Sequence, residues 1–336
     1  LGIAPATPFT RSALMGLMAA REALAGAGID AAAQIPIAFV SGSTVGGMER
    51  SEAYYLDFLE SDRHSEYIGL HDIGATTTLM ANHLPGVTYT ASVSTACSSA
   101  ANALVHAARL IEAGVADVVL AGGTECLTLF HLNGFHTLLI LDEQPSRPFA
   151  VSRAGLNLGE GAAYLVVESE ASMQRRGRQP IARLSGCGNA CDAYHQTATS
   201  PTGEGPFRAM QAALAEAGLK PSDIDYINAH GTGTPDNDRA DVAAIERLFG
   251  TDALPPFSST KPFTGHTTSA SGSIESVICL LAMRHGFIPA NLNMDVPLAP
   301  GCHPVTIRRE GVSLRHVMCN AFGFGGNDTA LVFSKA

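Results

Sequence analysis

Hydrophobic positions along the chain recur with two different periods. From Thr10 to Gly28 they follow a helical stripe through Leu14, Leu17, Met18, Ala20 and Ala25, with Gly26 and Gly28 as the stop. Met15 and Met18 read as core positions on that stripe. Ile35 to Ser41 is a short apolar strand leading into the Gly-rich turn Ser41 to Gly47, and Thr88 to Val93 alternates as a half-buried strand does. Ser94-Thr95-Ala96-Cys97 then opens a helix of small residues from about Ser98 to Ala113, closed by Gly114. Val115 to Ala121 reads as a buried strand running into Gly122-Gly123-Thr124-Glu125, and Gly161 to Glu168 as another. The second half repeats the theme. A helix from Phe207 to Ala217 stops at Gly218, and a strand from Ile224 to Ala229 runs into His230-Gly231-Thr232-Gly233-Thr234. Helices follow at Asp238 to Phe249 and Ser269 to His285, and strands at Val317 to Asn320 and Thr329 to Phe333 bracket a Gly-rich loop.

This alternation predicts an α/β fold. Both halves contain a strand, a loop with a reactive residue and an Ala/Ser/Gly-rich helix. Small side chains let helices approach closely, so two similar halves sharing a buried helical layer are expected, divided as 1–170 and 171–336. No long linker or short repeat interrupts them. Hydrophobic residues make up 46% of the 336 positions and charged residues 15%, which suits a large packed core rather than a disordered chain. A net charge of −10 offers no basic footprint for nucleic acid. No run approaches the ~20 apolar residues of a membrane helix. Seven scattered cysteines carry no disulfide rhythm and point to a reducing, cytoplasmic setting. Leu1 to Pro8 has no signal-peptide character; because the chain opens on Leu rather than Met, further N-terminal sequence is expected before it.

Three segments carry candidate chemistry. Cys97 lies at a strand-to-helix turn among small residues, where backbone N–H groups and the helix dipole favour a thiolate nucleophile; a buried structural thiol is the competing reading. His230 follows a strand end, where α/β sheets bind ligands, and Thr232 and Thr234 are placed to bond a polar chain. Lys261-Pro262-Phe263-Thr264-Gly265-His266 precedes the helix bearing Glu275, a spacing at which Lys, His and Glu are expected to form one hydrogen-bonded set fixing the histidine tautomer. With only Lys220, Lys261 and Lys335 as lysines, Lys261 is poorly explained as generic surface charge. A fourth segment, Phe322-Gly323-Phe324-Gly325-Gly326, frees the backbone to aim an N–H into a site. Cys187, Cys191 and His195 match no common zinc spacing, so no metal is expected.

Together, in this order, these segments resemble the elongating β-ketoacyl-acyl-carrier-protein synthases. Thr95-Ala96-Cys97-Ser98-Ser99 is similar to the nucleophile motif, the His230 and Lys261–His266 segments to the two histidine motifs, and Asn320 to Gly326 to the C-terminal loop. Asp192-Ala193-Tyr194-His195 with Thr197, and Gly159-Glu160-Gly161-Ala162, also fit. The resemblance spans nearly the whole chain but lacks the family's first strand and loop. It implies the thiolase fold: two similar halves in a five-layered αβαβα core, as a homodimer or as a heterodimer with a related subunit. Cys97 would take an acyl group from acyl carrier protein, and His230 and His266 would bond the carbonyl of the incoming malonyl thioester. The N–H groups of Cys97 and Phe324 would form the oxyanion hole. Thr197, Thr232 and Thr234 would contact the phosphopantetheine arm of the carrier protein, with no permanently bound cofactor. Lys261 and Glu275, with Asp241, would support the histidines, and Phe324 and Val45 would gate or line the acyl pocket. Three departures put the standard fatty-acid substrate in question: Ala150 and Ala154 at acidic positions, Asn327-Asp328 after Gly326, and the polar Thr267-Thr268-Ser269. A specialised polyketide or polyene pathway therefore stands beside fatty-acid elongation. A thiolase would need a second catalytic cysteine, and a chain-initiating synthase an asparagine in place of His266. A non-catalytic partner subunit typically lacks the nucleophile, and a pure binding protein would not need all three positions.

Overall fold

The computed structural model describes residues 9–336 apart from 31, 33, 252 and 253; the segment Leu1 to Pro8 lies outside the described residues. In chain order the elements are α1 (Arg11–Gly26), β1 (Ile37–Gly42), α2 (Met48–Ser61), α3 (Ser65–Ile68), α4 (Ile73–Ala81), β2 (Val87–Val93), α5 (Ser99–Glu112), β3 (Val118–Glu125), α6 (Leu129–Thr137), β4 (Gly161–Glu168) and α7 (Glu170–Arg175). They continue with β5 (Arg183–Cys191), α8 (Glu204–Ala217), β6 (Tyr226–Asn228), α9 (Pro235–Phe249), β7 (Phe257–Ser258), α10 (Lys261–Thr264), α11 (Ser271–His285), β8 (Phe287–Ile288), β9 (Arg309–Glu310), β10 (His316–Gly323) and β11 (Asn327–Ser334).

Two sheets carry the fold. One has the strand order β2-β1-β3-β4 and the other β5-β11-β10-β6-β7. In each, three neighbouring strands run parallel and the next is antiparallel: β4 against β3, and β11 against β10. β5 adds an outer antiparallel strand to the second sheet. Helices α5 and α11 lie between the sheets, α1 and α4 cover the outer face of the first, and α8 covers that of the second with α9 beside it. The result is the five-layered αβαβα thiolase fold.

Strand periodicity explains the layering. In β1, Ala38 and Val40 join the central core while Ile37 and Phe39 face α1; in β3, Val119 and Ala121 face the centre while Val118 and Leu120 face outward. β10 and β11 repeat this, with Val317, Cys319, Leu331 and Phe333 central and Met318, Ala330 and Val332 against α8 and α9. Small residues in α5 and α11 let the central helices touch. A Cβ added at Gly272 would sit 2.7 Å from the amide N and Cβ of Ala101. Gly272→Ala is therefore expected to cost about 1–3 kcal/mol by overpacking, read as a lower urea midpoint with an unchanged slope.

Some sequence-based expectations shift. Met18 is 59% exposed and Ala25 is also outward; the buried stripe of α1 is instead Ala13, Leu17, Ala20 and Leu24. Thr10 is the N-cap rather than the first helical residue, its Oγ1 accepting from the N–H of Ala13. Val115 lies outside β3 and is exposed. Helices α2, α3, α4, α6 and α7 and strand β5 had no counterpart in the reading of periodicity. No helix among the described residues is long and apolar enough to cross a membrane.

Candidate active site

Cys97 sits between β2 and α5, at the central layer. Ala96 before it takes φ +52°, a left-handed conformation that a side chain rarely adopts. The kink fits a tight junction: a Cβ on Gly323 would lie 2.9 Å from the carbonyl O of Thr95 and 3.1 Å from the N of Cys97. Backbone N–H groups of Cys97 and Phe324 are directed at Sγ, bringing together the two donors expected of an oxyanion hole.

The thiol differs from expectation in one respect. Burial pushes Cys97 up to about 11, against the opposing pull of Lys261 and the two N–H groups. Desolvation of a nearly enclosed sulfur outweighs the helix terminus here. The resting group is a thiol. His266 stands beside it, its Nε2 3.1 Å from Cys97 Sγ. Burial, then Lys261, holds His266 well below the usual imidazole range, so the ring is neutral.

His266 is fixed on both sides. Its N–H donates to the carbonyl of Asn157 at 2.7 Å, and the N–H of Gly159 donates to its carbonyl at 3.0 Å. Gly159 presses so closely that a Cβ there would meet the Thr264 carbonyl at 2.1 Å, which gives the Gly159–Ala162 motif its physical reason. His266 Nδ1 lies 3.0 Å from Ser271 Oγ.

The expected Lys–His–Glu set forms around the other histidine. Lys261 Nζ donates to the His230 carbonyl at 2.6 Å and to Glu275 Oε1 at 2.5 Å, and lies 3.2 Å from His230 Nδ1. It makes no hydrogen bond to His266, because Gly265 at φ +68° turns the chain away at the end of α10. The two rings meet edge to face, with centroids 5.3 Å apart. Burial, then Lys261 and His266, keeps His230 neutral as well. An ammonium has only donors, so Nδ1 of His230 must accept and Nε2 must carry the proton. Asp241 supports this loop through its backbone: the N–H of Gly231 donates to Asp241 Oδ2 at 2.8 Å. Burial raises Asp241 to about 7.

Other candidates fall nearby with different contacts. Thr232 and Thr234 are buried and share a hydroxyl bond of 2.9 Å. Thr197 is half-buried on the loop after β5, its N–H donating to His195 Nδ1 at 3.1 Å; no hydrogen bond joins it to the other two threonines. That loop touches the Phe324 turn, where the N–H of Gly325 donates to the Gln196 carbonyl. The Phe324 ring stacks on Phe135 of α6, centroids 5.7 Å apart. Val45 is buried in the 43–47 turn.

Besides Ser271, two residues escaped the sequence reading. Glu125, buried at the end of β3, accepts from Ser43 Oγ (2.8 Å), the N–H of Thr44 (2.7 Å), the N–H of Val45 (3.3 Å), Thr44 Oγ1 and Ser269 Oγ. It thereby pins the turn carrying Val45 to the segment after His266, and it gives Ser269 of the polar Thr267-Thr268-Ser269 run its partner. His131 is the one fully buried side chain on α6; burial lowers its pKa, and its ring neighbours Phe135. A lone Glu after two glycines, and a His amid leucines, were the available signals.

Asp328 is the departure with an energetic consequence. Neither of its carboxylate oxygens has a hydrogen-bond partner, and a Cβ on Gly205 of α8 would lie 2.0 Å from Oδ2. Burial, then Asp192 and Asp241, raises it to about 8 from an ordinary 3.8. A raised carboxyl contributes stability that is complete below pH ~4 and is lost as pH climbs through about 8. Asp328→Asn is expected to match the parent near pH 4 and exceed it at pH 9 by several kcal/mol, ~6 kcal/mol being what a carboxyl raised from 3.8 to about 8 carries, compared by urea midpoints at the two pH values.

Fold and site together define a thiolase-fold protein with a Cys–His–His centre. The chain belongs to the β-ketoacyl synthase family: the family's N-terminal domain model matches residues 3–172 and its C-terminal domain model residues 181–295. It is 39% identical over 250 residues to 3-oxoacyl-[acyl-carrier-protein] synthase 2 of Staphylococcus aureus (strain COL), covering 72% of this chain and 60% of that protein. The match thus spans less than two thirds of that relative's length. Nodulation protein E of Rhizobium meliloti is 36% identical over 338 aligned positions, 97% of this chain and 82% of that one. Among solved structures, the ishigamide ketosynthase/chain length factor superposes with a TM-score of 0.91 at 30% identity, covering 99% of this chain and 84% of that one. A ketosynthase in complex with its chain length factor from Xenorhabdus doucetiae gives 0.85 at 31%, covering 99% and 84%.

Proposed function

We propose that this protein is a β-ketoacyl-acyl-carrier-protein synthase performing decarboxylative Claisen condensation. The observation that carries the proposal is the thiol of Cys97, 3.1 Å from a neutral imidazole and facing two backbone N–H groups. In the first half-reaction Cys97 Sγ attacks the acyl thioester as His266 Nε2 accepts its proton; the N–H groups of Cys97 and Phe324 hold the oxyanion, and the carrier's thiol leaves. In the second, His230 Nε2–H and His266 bond the carbonyl of malonyl carrier protein. Loss of CO₂ then gives an enolate, whose carbon attacks the acyl-Cys97 carbonyl; the Sγ–acyl bond breaks to release the β-ketoacyl carrier protein, and the Cys97 thiolate takes up one proton from solvent. Lys261, bridging Glu275 to His230, keeps the His230 donor aimed, and Asp241 steadies its loop. Thr197, Thr232 and Thr234 would meet the phosphopantetheine arm, and Phe324 and Val45 would border the acyl group. The reaction suits a cytoplasmic setting and a catalytic chain divided as 1–170 and 171–336.

A partner subunit is the second element of the proposal. Helix α6 turns Leu129, Phe130 and Leu132 outward, and β2 is exposed along most of its length. Two of the structural relatives are described as pairing a ketosynthase with a chain length factor, which supports a specialised polyketide or polyene pathway and a heterodimer beside the homodimer of fatty-acid elongation. The intact Cys–His–His set disfavours a non-catalytic role for this chain. The test is to incubate the protein, alone and with candidate partners, with acyl and malonyl carrier proteins. Equal amounts of CO₂ and β-ketoacyl carrier protein are expected; release of neither under any pairing would refute a condensing role.

A further inference from the structure

We infer that Ser271 is a positioning residue that lets His266 exchange tautomers between the two half-reactions, an assignment that rests on the proposed condensing function. The inference follows from the different partners of the two histidines. His230 Nδ1 faces the Lys261 ammonium, which can only donate, so His230 keeps one tautomer throughout. His266 Nδ1 faces the hydroxyl of Ser271 at 3.0 Å, and a hydroxyl both donates and accepts. Ser271 Oγ has a second hydroxyl at 3.1 Å, Thr267 Oγ1. All three residues are buried, at 2% exposure each, so bulk water does not compete for these bonds.

Two arrangements are therefore balanced by rotating hydroxyl hydrogens. In the first, His266 Nδ1–H donates to Ser271 Oγ, whose own hydrogen points to Thr267 Oγ1. Nε2 is then a lone pair facing the thiol hydrogen of Cys97 across 3.1 Å, as acylation requires. In the second, Ser271 donates to Nδ1 and Nε2 carries the hydrogen, as donation to a malonyl carbonyl requires. Acylation itself links them. As the sulfur–acyl bond forms, the Cys97 proton moves to Nε2 and the ring is doubly protonated. The Nδ1 proton leaves along the hydroxyls of Ser271 and Thr267 to solvent, which restores a neutral ring as the Nε2–H tautomer, and the departing carrier thiolate takes one proton from solvent, so the proton count closes. With alanine at 271 the ring loses the one partner that accommodates both states.

The experiment labels the histidines of the full chain with ¹⁵N and reads each ring's tautomer from long-range ¹H–¹⁵N correlations, with His230→Gln and His266→Gln variants for assignment. Free protein is expected to show Nδ1–H at His266 and Nε2–H at His230. Protein loaded with a hexanoyl group from hexanoyl carrier protein is expected to show Nε2–H at both. Finding Nε2–H at His266 in the free protein, or no change on acylation, would overturn the inference. In parallel, Ser271→Ala is expected to lower the rates of acylation and of malonyl decarboxylation each about tenfold with KM unchanged, and Ser271→Thr to restore both. Wild-type rates in Ser271→Ala would also overturn it. Failure of the wild-type protein to take any acyl group would instead sink the condensing function, a separate outcome that the free-protein spectrum does not depend on.

Discussion

Cys97→Ala is expected to take up no acyl group from any carrier thioester, with condensation at least ~10³-fold below the parent, while unfolding within about 1 kcal/mol of it. The two parts follow from separate features. Covalent capture needs a nucleophile at the point where the N–H groups of Cys97 and Phe324 converge and His266 Nε2 stands 3.1 Å away, and a methyl group there cannot form the acyl bond. Stability depends little on the sulfur itself, because Ala and Cys share a backbone geometry and a small apolar bulk. Both histidines keep their supports in the variant: Lys261 on His230 and Ser271 on His266. With no thiol hydrogen facing Nε2, Ser271 also lets His266 carry its proton there, so malonyl decarboxylation should survive without condensation. Intact-protein mass and CO₂ release distinguish this from collapse of the fold.

Lys261→Met is expected to damage both stability and activity. Lys261 and Glu275 are each 2% exposed and bonded at 2.5 Å. Burial already raises the Glu275 carboxyl, and Lys261 opposes the shift. Removing the ammonium strands a buried carboxyl, a change that typically costs about 3–5 kcal/mol. It also removes the donor that fixes Nδ1 of His230, so the Nε2–H donor loses its aim and condensation should fall about 10²-fold or more. The double variant Lys261→Met/Glu275→Gln separates the two effects. It should recover most of the urea midpoint and little of the activity. Recovery of activity with the second substitution would mean that Lys261 acts only by neutralising Glu275.

How far the sequence foretold this varies with the kind of interaction. Strand periodicity was readable where both faces of a strand are covered, as in β3, because Val, Leu and Ala have no other reason to run together. Helices α2 to α4 were not readable, since α2 buries only Ser51 and has no continuous apolar stripe. The order of the motifs marked Cys97, His230 and His266, and the fold brings these rings and the thiol together. Their partners were less legible. Lys261 was expected to support both histidines, yet of the two it bonds His230 alone, the turn at Gly265 setting His266 apart. A thiolate was expected at the start of α5, yet burial of the sulfur outweighs the helix terminus. Glu125 and Ser271 lie 28 and 174 positions from Cys97 in the chain, and only the packing of α11 against β3 and α5 reveals what they hold.

The central claim is a covalent acyl-Cys97 intermediate. Its most direct test is intact-protein mass spectrometry, with peptide mapping, after incubation with acyl carrier proteins of several chain lengths and, where needed, a candidate partner subunit. One adduct per chain, mapped to Cys97 and discharged by malonyl carrier protein, is the predicted result. An adduct on another cysteine, or none with any thioester or partner, would contradict it.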